Sequence, residues 1–276
     1  MGKLEGQVAF VTGAARGQGR QFALALAREG ADVAVLDLDA QIKTVDYELP
    51  EGSDLDKVAA EIEQLDRRSL AIAGNVTKEE DISRAVDTII ERFGHIDIVV
   101  PNAGIVSYGQ VWELDEKTFD QMIDVNLKGT WLTCKYVAPH MIERKKGKIV
   151  CISSIYGVHS APLVSHYSAS KHGVLGLVRS MAIELGEYNI NVNAICPTAI
   201  DTPMMNNQAT FDRMAGGKAG GTRDHANKEF EKRQLLPDIG YLPDDACVGS
   251  LLFLASEDSK YVTGIPIPVD AGFLTS

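Results

Sequence analysis

The sequence predicts one α/β domain over residues 1–276, a single-domain doubly wound (Rossmann-type) parallel sheet flanked by helices on both faces. Three observations carry this. Short apolar runs alternate with longer segments of helical period, a glycine-rich turn separates the first run from the first helix, and no linker-like shift of composition interrupts the 276 residues. Strand–helix repetition requires right-handed crossovers and therefore a parallel sheet.

The runs at 7–12 (QVAFVT), 32–37 (DVAVLD), 69–74 (SLAIAG), 97–101 (DIVVP), 148–153 (KIVCIS) and 191–196 (NVNAIC) are too short for helices. They are continuous in Val, Ile and Ala, as strands buried on both faces are. Between them, 18–28, 54–66, 79–92, 119–144 and 166–188 place apolar residues at helical spacing. Two stretches depart from the repeat. Residues 38–53 (LDAQIKTVDYELPEGS) lengthen the connection after the second strand. Their apolar Ile42, Val45, Tyr47 and Leu49 suit a flap packed inward on one side, with an uninvolved surface insertion as the alternative. Residues 203–242, polar and glycine-rich, are expected to be a substrate lid. Both stretches follow the carboxyl ends of strands, where open α/β sheets bind ligands.

Composition excludes several classes. A hydrophobic fraction of 45% and a charged fraction of 24% are ordinary for a globular protein. The net charge of −11 argues against nucleic acid and anionic membranes, which need a basic footprint. No apolar stretch reaches membrane-spanning length, and residues 1–6 lack a basic-then-apolar leader, so a cytoplasmic location is expected. Cys134, Cys151, Cys196 and Cys247 form no CxxC pair and are expected to be reduced, buried thiols without a metal.

The first strand runs into Thr12-Gly13-Ala14-Ala15-Arg16-Gly17-Gln18-Gly19 and then a helix. Glycines there let the backbone turn tightly and approach a pyrophosphate at the helix N-terminus, so a dinucleotide cofactor is expected. Asp37 ends the second strand, where a carboxylate accepts from ribose hydroxyls and repels a 2′-phosphate. Arg16 is the opposing signal, because a guanidinium beside the ribose can hold that phosphate. Asp37 is given the greater weight, which selects NAD.

The chemical centre is expected at Ser154, Tyr167 and Lys171. Tyr167 and Lys171 are four apart on a helix and share a face, and Ser154 ends a strand beside them. Proton transfer during hydride transfer needs a general acid/base, and free tyrosine has a pKa of about 10. A lysine ammonium at close range, at an effective dielectric of about 20, supplies about 4 kcal/mol, or roughly three pK units. Lys171, with the positive nicotinamide adding to it, is therefore expected to bring Tyr167 into working range, with Ser154 holding the substrate oxygen.

Together, Thr12-Gly13-x-x-x-Gly17-x-Gly19, Asn102-Ala103-Gly104, Asn126, Ser154 and Tyr167-x-x-x-Lys171 resemble the short-chain dehydrogenase/reductase family, from about Leu4 to Gly272. The resemblance implies an oxidoreductase with Ser154, Tyr167 and Lys171 as catalytic triad, Lys171 also bonding the nicotinamide ribose. It implies that Asn126 holds a proton-relay water and that Asn102, Ala103 and Gly104 lie beside the adenosine ribose. It brings Pro197, the Ile200 backbone and the Thr202 hydroxyl to the carboxamide end. Gln18, Leu38, Asn75 and Val76 complete the expected cofactor contacts, and a homotetramer packed through 119–144 and 166–186 is implied.

Departures from the family pattern are Pro101 for the first asparagine of Asn-Asn-Ala-Gly, Asn75 for an adenine-binding aspartate, and Thr198 for the glycine after Pro197. With the 38–53 insertion, these resemble the carveol-dehydrogenase-like, mycofactocin-coupled subgroup. That implies a hydrophobic cyclic alcohol as substrate and a retained NAD that a separate redox carrier reoxidises. Tyr156, His159, Met204 and Met205 are candidate substrate contacts, each with a purely structural alternative. His166 is open to either reading, and Trp112 and Trp131 are expected in the core or an interface. A ketone or 3-oxoacyl reductase of the same chemistry remains an alternative, as does a non-catalytic NAD-binding sensor.

Overall fold

The computed structural model describes residues 2–275. Seven parallel strands form one sheet in the order β3-β2-β1-β4-β5-β6-β7. They are β1 (Val8–Thr12), β2 (Asp32–Asp37), β3 (Ser69–Ala73), β4 (Ile98–Val100), β5 (Gly147–Ile152), β6 (Ile190–Pro197) and β7 (Pro266–Val269). Six of them fall within two residues of the runs read from the sequence. The seventh was not foreseen. Its PIPV sequence offers few amide donors, which restricts it to the sheet edge, where it pairs with β6 alone.

Alternate strand residues feed two cores, as the pleat dictates. Phe10, Leu36, Val99, Ile149 and Val192 face one cluster, covered by α3 (Glu79–Phe93), α5 (Gly129–Arg144) and α6 (Ser165–Leu185). Ala9, Val35, Val100, Val150 and Ile195 face the other, covered by α1 (Gly17–Arg28), α2 (Gly52–Glu63) and α9 (Val248–Ala255). Strand order reverses between β1 and β4, so their outgoing connections part to opposite faces and leave a crevice at the carboxyl ends.

Three local findings refine the sequence reading. The expected helix over 119–144 is a longer run: α4 (Glu116–Ile123), a π-helical turn at Asp124–Lys128, and α5. Residues 203–242 include α7 (Gln208–Met214) and α8 (Arg223–Glu231), which share a small core of Ala199, Met214, Ala226 and Phe230. Trp112 and Trp131 are 74% and 41% exposed, so neither belongs to the protomer core. Among the described residues, no helix is long and apolar enough to cross a membrane.

Candidate active site

One groove runs across the carboxyl ends of the strands, beginning at the glycine turn after β1. Gly13 and Ala14 donate to Leu36 O at 2.8 and 3.3 Å, which folds the turn against β2. A Cβ at Gly13 would stand 2.6 Å from Ala103 Cα, and one at Gly19 would stand 2.0 Å from Gly13 O. Both glycines are therefore steric requirements of the turn and of the helix packed on it. Asn102 Nδ2 donates to Thr12 O at 3.0 Å and Gly13 O at 2.9 Å, tying the end of β4 to the turn. Helix α1 opens with no side-chain cap and no acidic residue in its first turn, so its positive end stays available to an anion.

At one end of the groove, Asp37 accepts from Ala15 N and Leu38 N, each at 2.8 Å, one on each carboxylate oxygen. Burial raises the carboxyl from its ordinary range, while the two backbone bonds and the nearby Arg16 hold it down. The Arg16 guanidinium lies 6.0 Å from the centre of the Tyr47 ring. Leu38, Asn75 and Val76 line the same stretch, and Asn75 Oδ1 accepts from both Thr77 N and Thr77 Oγ1 at 2.9 Å.

Residues 38–51 run without helix or strand, and Ile42, Val45, Tyr47 and Leu49 all pack against the core. The inward-packed reading therefore fits better than an insertion that touches nothing. Tyr47 lines the groove and reaches further than sequence reasoning foresaw, its hydroxyl accepting from Val106 N at 3.1 Å. Aromatic character amid acidic neighbours was the one signal available for it.

The other end of the groove holds the expected reacting set. Ser154 follows β5, accepts from Tyr156 N at 3.1 Å, and lies near enough to the Tyr167 hydroxyl to favour its ionisation. Tyr167 and Lys171 lie one turn apart on α6. Lys171 Nζ donates to Ile152 O at 2.9 Å and stands 5.7 Å from the centre of the Tyr167 ring. Without the nicotinamide, the electrostatics of the free chain oppose the expected shift of Tyr167. Burial pushes the Tyr167 hydroxyl up, only partly offset by Ser154, and burial pushes the Lys171 ammonium down to about 8. Desolvation penalises both charged forms, so Lys171 alone does not bring the tyrosine into working range.

Asn126 sits in the π-helical turn, fully buried. Its Oδ1 accepts from Ile105 N at 2.8 Å, and its Nδ2 donates to Ile105 O at 3.0 Å and Ser170 Oγ at 3.2 Å. Its side chain thus fixes the loop at 104–105 against α6. A Cβ on Gly104 would lie 3.4 Å from Asn126 Oδ1 and 3.5 Å from Lys171 Nζ, so the loop passes between the two.

The groove gathers Gly13, Arg16, Gly17, Gln18, Gly19, Asp37, Asn102, Ala103 and Gly104 with Ser154, Tyr167, Lys171, Pro197, Ile200 and Thr202. Met204 and Met205 also line it, and Met205 packs on the small core of the 203–242 segment as well. Three candidates lie elsewhere: Asn126, fully buried beneath the 104–105 loop, and two of the substrate candidates. His159 is exposed with its ring 6.2 Å from Phe273, because the chain leaves the crevice after Gly157. Tyr156 is buried behind the catalytic candidate, edge-on to the Tyr167 ring at 6.4 Å. His166 is buried against Ser107 Oγ at 2.9 Å. Among the lining residues that sequence reasoning missed are Ile105, Val125 and Ser153.

Polar atoms along the groove suit a long polar ligand. Gln18 Oε1 and Thr198 Oγ1 are buried without a protein partner, and both residues line it. With the uncapped helix end, these features fit a nicotinamide dinucleotide.

Fold and groove together define an oxidoreductase of the dinucleotide-binding class. Residues 7–213 match the short chain dehydrogenase family, and the chain belongs to it. It is 40% identical over 274 residues to (−)-trans-carveol dehydrogenase of Rhodococcus erythropolis, covering 99% of each chain. Identity is also 40%, over 275 residues, with an uncharacterised NAD-dependent oxidoreductase of Mycobacterium tuberculosis, covering 99% of this chain and 98% of the relative. The crystal structure of carveol dehydrogenase from Mycobacterium avium in complex with NAD superposes with a TM-score of 0.97, at 38% identity over all of both chains.

Proposed function

We propose that this chain is an NAD-dependent dehydrogenase of a hydrophobic cyclic secondary alcohol of the carveol type, with Tyr167 as general acid/base. The observation that carries this is the Ser154–Tyr167–Lys171 set, with Ser154 and Lys171 buried and Tyr167 partly open, at one end of a groove whose other end presents Asp37. Bound NAD supplies the hydride acceptor. Gly13, the first turn of α1 and Asn102 shape the cradle for its diphosphate, and Asp37 takes the adenosine ribose hydroxyls and excludes a 2′-phosphate. Ser154 holds the substrate oxygen, Tyr167 moves its proton, and Lys171 supports the phenolate. Asn126 keeps the 104–105 loop in register with Lys171. Ile105, Pro203, Met204 and Met205 add apolar surface for a hydrocarbon ring.

The 38–53 flap and the 203–242 lid close opposite parts of the groove, and the flap retains NAD for reoxidation by a separate redox carrier. A cytoplasmic homotetramer, packed through the helices at 119–144 and 166–186, completes the reading. The test is a single turnover of nucleotide-loaded protein, followed by NADH absorbance, over a panel of cyclic secondary alcohols including carveol. Reduction of bound NAD supports the proposal. Inertness to every alcohol, with turnover of a 3-oxoacyl thioester by NADH, would replace it with the reductase reading.

A further inference from the structure

Thr198 occupies a position where the family pattern has glycine, and its side chain ends in a buried hydroxyl without a protein partner, lining the groove. Buried hydroxyls are almost always hydrogen-bonded, and leaving one open costs free energy unless a ligand completes it. The backbone there is fixed, since Thr198 N donates to Val269 O at 3.1 Å and so joins β7 just past the end of β6. Which part of a ligand it meets follows from the sheet. β6 lies four strands from β2, about 19 Å at the usual spacing, so an adenosine held at Asp37 cannot reach Thr198. The carboxyl end of β6 instead adjoins Ser154, because Ile152 pairs with Ile195. Cys196, two residues before Thr198, lies close enough to affect both Tyr167 and Lys171.

We propose that the Thr198 hydroxyl binds the nicotinamide half of the cofactor, a contact that a glycine at this position cannot make. The inference rests on the NAD reading above. Its test measures binding to nucleotide-free protein by calorimetry, with NAD and with ADP-ribose, which lacks the nicotinamide. One hydrogen bond lost corresponds to about a threefold to tenfold change in affinity. Thr198→Val should weaken NAD binding by that factor, leave ADP-ribose binding unchanged, and not lower the Tm of the free protein. Thr198→Ser should restore NAD binding, and Thr198→Gly should behave as Val does. Unchanged NAD affinity in Thr198→Val would overturn the proposal, including the case in which only the KM for alcohol rises. Equal losses for NAD and ADP-ribose would also overturn it. Wild-type protein that binds neither nucleotide would instead remove the NAD reading itself.

Discussion

Asp37 and Tyr167 lie at opposite ends of one groove, and burial raises the pKa of both. What surrounds them differs. Each oxygen of Asp37 accepts a backbone N–H, with Arg16 nearby, so the protein itself supports a negative charge there. Tyr167 has Ser154 alone to offset its burial, and the lysine one turn away is itself pushed toward neutrality. One end is ready to hold charge before anything binds. The other keeps its tyrosine protonated in the free chain.

The hardest test of this contrast removes the reacting group. Tyr167→Phe should retain NAD binding and lose at least about a hundredfold in turnover. Near-native turnover would take Tyr167 out of the mechanism. Next comes pH. A tyrosine raised by burial stays protonated through neutrality, so ketone reduction should be flat from pH 6 to 9. Alcohol oxidation, which needs the phenolate, should rise by about tenfold per pH unit while Tyr167 stays mostly protonated. A flat oxidation profile with falling reduction would mean that Lys171 does dominate. At the adenosine end, replacing residues 40–52 by a short glycine–serine turn should speed NAD release at least about tenfold and leave single-turnover chemistry intact. Unchanged release in stopped-flow fluorescence would leave the segment without a role in retention. The smallest effect is expected for Asp37→Ser, which should narrow the kcat/KM preference for NAD over NADP by roughly tenfold or less. A native preference for NADP would show that Arg16 prevails.

The two ends also differ in how far they can be read from sequence. Asp37, the glycine turn and the Tyr167–Lys171 spacing are local patterns, and each falls where the periodicity puts it. Tyr47 is different, because its reach to Val106 depends on how two distant loops face each other. The desolvation at Tyr167 is hidden for a related reason: charge spacing is visible along a helix, but depth of burial is not. The π-helical turn at Asp124–Lys128 hides inside an apolar period that one extra residue barely disturbs, and it carries Asn126. Helices α7 and α8 are masked by polar composition, since only four buried apolar residues hold them together.

The bonds from Asn102 to Thr12 O and Gly13 O join residues about 90 positions apart. The glycine turn therefore cannot take its final shape from its own stretch of chain. It waits for β4 to dock beside β1, after two intervening strands and three helices have been made. A nascent chain that ends before Asn102 carries every glycine of the nucleotide motif and lacks the bonds that set it. Such closures of high sequence separation slow folding. Nucleotide binding thus reports on the central crossover: the cradle is set by bonds from β4 as well as by the glycines themselves.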